Sequence, residues 1–263
     1  MDLKEAPILN KIKRHPWEYA RADFVLFLVR RLLAHRPHAR MVLDVGCGDA
    51  FLTDHLAKRL PKLKFIGIDC AFSESDIRTL GNSSPANVVL YDSLSRVKES
   101  ADIILLLDVL EHVAGEADLL RDIARPDIAH PKTLFLVTVP ARQELFSRHD
   151  FFLGHYRRYD LNSLENIFNE AGMVKAMSGY FFSSLFLWRR FFNFQTSEEG
   201  SGVNLSRTTA TAAWKGGRLI SKLLAKILLA DAKLGFYLKH YFNFQLPGLS
   251  LYMVGKKKSH SQK

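Results

Sequence analysis

The sequence predicts an α/β fold: a doubly wound sheet of seven strands, with a helical insertion before the last strand. Three observations carry this expectation. Residues 41–52 read as a short apolar strand, a tight glycine turn and a helix start, the unit that opens such folds. Further strand-length apolar runs at 64–69, 87–93 and 102–108 each finish in or beside an acid. The run between Asp102 and Asp108 is apolar throughout, as suits a parallel strand buried on both faces.

The elements follow in order. Residues 17–34 mix Tyr19, Phe24, Val25, Phe27, Leu28 and Leu32 with Arg21, Arg30 and Arg31, which predicts an amphipathic helix ended by Pro37. After the first strand come Gly46, Cys47 and Gly48, then a helix over 52–60 stopped by Pro61. The second strand ends at Asp69, next to Cys70, and the third carries Asp92 and Ser93 at its end. The fourth ends at Asp108 and runs into Val109-Leu110-Glu111-His112-Val113. A fifth strand at 133–139 stops at Pro140 and releases a polar, aromatic loop over 141–160. Asp160 is a good N-cap for a helix with Leu161, Leu164, Ile167 and Phe168 on its apolar face and Gly172 at its end. Strands at 173–180 and 249–254 complete the sheet. Between them lies an insertion: an aromatic stretch from Tyr180, a polar loop at 196–211 and an amphipathic helix at 219–229. The expected organisation is an N-terminal helical cap (1–40), a core (41–180), an insertion (181–248), and a last strand with a basic tail (249–263).

The glycine turn separates two cofactor classes. A dinucleotide fingerprint needs a third glycine where this chain has Phe51. The pattern Asp44-x-Gly46-x-Gly48 instead resembles the first motif of class I S-adenosylmethionine-dependent methyltransferases, which have a Rossmann-like sheet with an antiparallel last strand. Ala50 stands where that family usually has a further glycine. The resemblance implies that Gly46, Cys47 and Gly48 pass beside the methionine part of S-adenosylmethionine, and that Asp44 helps hold the loop and the amino group. Asp69, with Cys70, would take the ribose hydroxyls. Asp92 and the backbone at Ser93 would meet the adenine, and Asp108 and Val109 would lie beneath the sulfonium. The string Asp-Val-Leu-Glu-His-Val at 108–113 closely resembles the fourth-strand motif of the ubiquinone-biosynthesis type of small-molecule methyltransferases. For Glu111 and His112, a helix-terminal charge and cap remains an equal reading.

The loop reads His149-Asp150…Gly154-His155-Tyr156-Arg157-Arg158-Tyr159. It resembles a segment of a bacterial methyltransferase subgroup often tied to envelope or lipid-linked sugar pathways. That implies acceptor-side roles for His149, Asp150, His155, Arg158 and Tyr159, in acid–base work or anion binding. A polar hinge that positions the next helix explains any one of them as well. His149, Asp150 and His155 make a thin ligand set, so the sequence predicts no metal. The resemblance covers roughly residues 15–180 and returns at the final strand.

Charge bounds the partners. The chain carries 37 basic and 27 acidic residues, net +10, with the excess base in its two flanks. Basic flanks suit an anionic membrane surface, nucleic acid or a phosphorylated substrate; a merely solvated surface is the bland alternative. In the insertion helix, Arg218, Lys222 and Lys226 flank Leu219, Ile220, Leu223, Leu224, Ile227 and Leu228. That layout fits a helix at a lipid surface or one packed on the sheet with its lysines turned to water, and the insertion as a whole is read as a membrane contact or a substrate lid. The opening residues lack a signal-peptide layout, and no apolar run is long enough to span a membrane. With two cysteines and no disulfide framework, a cytoplasmic protein, peripheral at the inner membrane face, is expected. The expected activity is methyl transfer to a small or lipid-linked acceptor, with S-adenosylhomocysteine as product. Rival readings are an RNA methyltransferase, which no recognisable RNA-binding module supports, a nicotinamide oxidoreductase, and a non-catalytic membrane adaptor.

Overall fold

Seven strands form one sheet in the order β3-β2-β1-β4-β5-β7-β6. The structure is a computed structural model that describes residues 14–191 and 216–258; the polar loop expected at 196–211 lies outside them. Strands β1 (Met41–Val45), β2 (Lys64–Ile68), β3 (Val88–Tyr91), β4 (Ala101–Leu107) and β5 (Ala129–Pro140) run parallel. β7 (Ser250–Lys257) lies between β5 and β6 (Met173–Phe181), antiparallel to both. The predicted antiparallel last strand is therefore present.

Strand alternation divides the core into two layers. Leu43, Val45, Ile104, Leu106 and Val137 face α4 (Glu116–Ile123) and α6 (Leu161–Glu170), meeting Leu120, Leu164 and Phe168. Val42, Ile103, Leu105, Leu136 and Tyr252 face the other way. There they meet α1 (Pro16–Leu33), α2 (Phe51–Arg59) and α8 (Arg218–Phe242) through Phe24, Leu28, Leu56, Ala232 and Phe236. Residues two apart on a strand share a face, so one apolar run supplies both layers.

α3 (Glu74–Ser83) has no counterpart in the sequence reading. None of its residues is fully buried and only Ile77 and Leu80 pack inward, too short an apolar stripe to read, but a Ser73–Asp76 capping box marks its start. In the post-β5 loop, α5 (Arg148–Leu153) is a single short helix, capped by Ser147 and Asp150. The insertion holds α7 (Ser183–Phe191) and α8, which runs well past the predicted 219–229. Its second half packs on α1: Phe27 meets Phe236 edge-on at 5.0 Å, and the Arg31 Nη2 donates to the Tyr241 hydroxyl at 2.9 Å.

Candidate active site

The site lies at the carboxyl ends of β1, β2 and β4. At the end of β1 the chain turns through Gly46 (φ +74°) and Gly48 (φ +57°), a backbone region that glycine enters without steric cost. A Cβ on Gly46 would come within 2.6 Å of Val109 Cγ2, so Val109 packs directly on the loop. Ala50 also has a left-handed backbone (φ +58°), so the missing family glycine is replaced at a position where glycine would be less strained.

Carboxylates surround this loop. Asp44 is buried; Thr53 Oγ1 donates to its Oδ2 at 2.5 Å, and its Oδ1 has no hydrogen-bond partner among the described residues. Burial raises its pKa to about 6. Asp69 accepts from the Gly48 N–H (2.9 Å) and the Ala71 N–H (3.0 Å), so in this structure its side chain holds the loop. Cys47 is buried under the turn, and burial pushes its thiol up; Cys70 is exposed. Asp92 pairs with Arg96 (3.0 Å), and Ser93 caps a short 3-10 turn over Leu94–Arg96.

Asp108 sits in the left-handed region at φ +58°, uncommon for an aspartate. Three contacts hold it there. Its N–H donates to the Thr138 carbonyl (2.9 Å), Thr138 Oγ1 donates to its Oδ1 (3.0 Å), and Arg21 pairs with its Oδ2 (2.9 Å). Arg21 and Thr138 were not among the expected site residues. The signal for Arg21 was a cation within the apolar pattern of α1. The same helix start closes over the glycine loop: Arg14 pairs with Glu18 (3.0 Å) and Asp49, and its guanidinium lies 3.8 Å above the Phe51 ring. A cavity between them is lined by Trp17, Glu18, Arg21, Cys47 and Phe51.

The residues present fit S-adenosylmethionine. An unpartnered carboxylate oxygen under a glycine loop suits a cationic group, and both loop glycines leave room for close backbone approach.

The five residues expected to face the acceptor have different surroundings in the structure. Asp150 is almost fully buried and accepts from the Ser147 N–H and hydroxyl (both 2.8 Å), from His155 Nδ1 (3.1 Å), and from Arg158 through Nε (2.9 Å) and Nη2 (3.0 Å). Burial alone would raise its pKa; the His155, Arg158 and Ser147 hydrogen bonds and the Arg158 charge override it and hold the carboxyl well below the usual range. Asp150 and Arg158 thus form a bidentate anchor for the loop. Tyr159 is a core residue: its hydroxyl donates to Glu116 at 3.2 Å, and burial, then the charges of Glu116 and Glu111, push it above the ordinary phenol range. His149 is half-buried, which lowers its pKa. His155 is oriented by Asp150, and its ring meets His112 edge-on at 4.6 Å. Arg157 pairs with Glu116 (2.5 Å).

A methyltransferase-domain family model matches residues 17–175. The chain belongs to the methyltransferase-domain family. Among relatives of this methyltransferase-domain protein is one from Mycolicibacterium smegmatis, named a probable S-adenosylmethionine-dependent methyltransferase. It is 26% identical over 141 residues, 52% of each chain. The ubiquinone biosynthesis O-methyltransferase of Agrobacterium fabrum is 33% identical over 115 residues, 41% of this chain and 44% of that one. The chain thus spans about half the length of the curated relatives it matches. The plantazolicin methyltransferase BpumL, solved with a triazolic desmethylPZN analogue and S-adenosylhomocysteine, superposes with a TM-score of 0.53 at 14% identity, covering 97% of this chain and 87% of that one. That likeness concerns the fold.

Proposed function

We propose that this protein transfers the methyl group of S-adenosylmethionine to a small or lipid-linked acceptor. The observation that carries the reading is the buried, unpartnered Asp44 Oδ1 beneath the Gly46–Gly48 turn. When bound, S-adenosylmethionine supplies a methyl group on a sulfonium that is already a good leaving group. The chain's own contribution is then alignment and exclusion of water. Asp44 offers its open oxygen to the cofactor's ammonium end, and Asp69 and Asp92 offer carboxylates to the ribose and the adenine. Asp108, locked by Arg21 and Thr138, holds the turn after β4 where methyl group and acceptor meet. Binding of S-adenosylmethionine and S-adenosylhomocysteine by calorimetry tests the cofactor half. No heat with either ligand would end the proposal.

A lipid-linked acceptor is supported by what the protein exposes. Around the acceptor loop, Phe151, Phe152 and Tyr156 are exposed, and on α7 so are Leu187, Trp188 and Phe191. The first turns of α8 turn Leu219, Ile220, Leu223 and Ile227 to the outside, flanked by Arg218, Lys222 and Lys226. Leu228 and Ala232, on the opposite side, pack into the core. An outward apolar face bordered by lysines suits a helix lying in an anionic membrane surface. No described helix is long and apolar enough to cross a membrane. The acceptor is tested with methyl-labelled S-adenosylmethionine and cell extract, split into lipid, nucleic-acid and aqueous fractions. Label in the lipid fraction supports the reading; label in nucleic acid would favour the RNA alternative.

A further inference from the structure

We propose that Arg189 binds an anionic group of the acceptor, a phosphate ester or pyrophosphate, beside the loop that follows β5. That the ligand is the methyl acceptor rests on the methyl-transfer reading. Arg189 belongs to α7 but reaches back to this loop, where its Nη2 donates to the Leu145 carbonyl at 3.1 Å. Leu145 closes the short 3-10 turn Gln143–Leu145, and Arg142, just before that turn, lays its guanidinium over the Phe186 ring at 4.7 Å. Phe186 and Arg189 lie three apart on α7 and share a face. Two contacts thus seat α7 on the loop and fix where the Arg189 charge stands.

That charge lacks an acid of its own. Among the described residues no carboxylate pairs with Arg189, and the acid that acts on it, Asp150, already accepts from Arg158, His155 and Ser147. Burial, then the Arg158 charge, lowers the Arg189 pKa against the pull of Asp150. His149 stands in the same field: burial lowers its pKa, and the charges of His155, Arg158 and Arg189 lower it further against Asp150. Two guanidiniums around one carboxylate leave this half-buried corner short of a negative charge, which an incoming anion supplies.

The donors suit phosphate. One hydrogen bond to a carbonyl leaves most of the guanidinium fork unused, and that planar fork matches phosphate oxygens. On the same helix Leu187, Trp188 and Phe191 are exposed. An anion beside exposed apolar side chains is the chemistry of a lipid phosphate; a soluble phosphorylated acceptor shares the phosphate without the chain.

The test titrates the full chain, with and without saturating S-adenosylhomocysteine, with inorganic pyrophosphate and with geranyl phosphate by calorimetry. We expect both to bind the wild type and to bind Arg189→Gln at least about tenfold more weakly. The glutamine keeps an N–H for the Leu145 carbonyl and removes the charge, so the Tm should hold. Arg189→Lys keeps the charge without the fork and should fall between the two. Arg190→Ala, at an exposed site, should match the wild type. Geranyl phosphate bound more tightly than pyrophosphate assigns a lipid phosphate; the reverse order or equality assigns a soluble phosphorylated acceptor. No binding of either probe by the wild type, or equal affinity in Arg189→Gln, overturns the proposal. Should Arg189→Gln fail to fold, phenylglyoxal labelling of wild-type Arg189 decides: pyrophosphate should protect it, and unchanged labelling overturns the proposal. S-adenosylmethionine, titrated into the same samples, should bind wild type and Arg189→Gln alike. Its failure to bind the wild type ends the methyl-transfer reading while the phosphate titrations still stand, so the two failures are told apart.

Discussion

Gly46 carries two constraints at once, a left-handed backbone and Val109 against its Cα. Gly46→Ala should lose cofactor binding, and adding Val109→Ala should restore it only in part, because the backbone strain remains; calorimetry on both variants decides. Asp44 ties the same loop to pH. Its folded pKa, raised to about 6 from 3.8, means that its contribution to stability is full below 3.8 and lost as pH rises through 6. That contribution is about 3 kcal/mol, and Asp44→Asn should remove this part of the pH slope in urea denaturation. A cationic ligand at the open oxygen favours the ionised form, so S-adenosylmethionine affinity should rise from pH 5 to pH 7 in the wild type and stay flat in Asp44→Asn. Asp69→Ala should weaken S-adenosylmethionine binding while the circular dichroism of the fold persists; unchanged affinity would remove the ribose assignment. Arg158→Ala removes the arginine partner of the buried Asp150 and leaves it only Ser147 and His155, and should cost about 3 kcal/mol, read as a lower Tm. The positions of the acids at the sheet's carboxyl edge were legible because Asp69, Asp92 and Asp108 follow directly on strands and Asp44 lies near the end of one. Arg21, Thr138 and Thr53 were not, because their partners are set by tertiary packing alone.

Among elements, α8 was legible only where its pattern is simple. The early turns alternate leucines and lysines, whereas later Asp231, Gly235 and a run of aromatics blur the stripe, although the helix continues to Phe242. Gly235 stays because the helix there comes close to the Tyr180 carbonyl of β6. The exposed turns can be changed without touching the core. Leu219→Glu with Leu223→Glu should abolish sedimentation with anionic vesicles and leave Tm unchanged. Lys222→Ala with Lys226→Ala should weaken vesicle binding by about 1 kcal/mol per charge. Equal binding to neutral vesicles would argue that the basic stripe plays no part.

At the scale of the whole molecule, the strands were legible because a sheet buried on both faces demands long apolar runs, and strand ends demand acids or glycines here. The helices on its two faces divide differently. α4 and α6 cover one face with residues near in sequence to their strands, but the other face is completed by α1 and α8, from opposite ends of the described chain. The Arg31–Tyr241 hydrogen bond joins residues 210 apart. During synthesis, therefore, α1 leaves the ribosome long before Phe181, Phe236 and Tyr252, the rings against which Phe24 and Phe27 pack, have been made. The part of its apolar face that meets these rings must wait, bare or chaperoned, until nearly the whole chain is made, and its late closure leaves nascent chains open to aggregation.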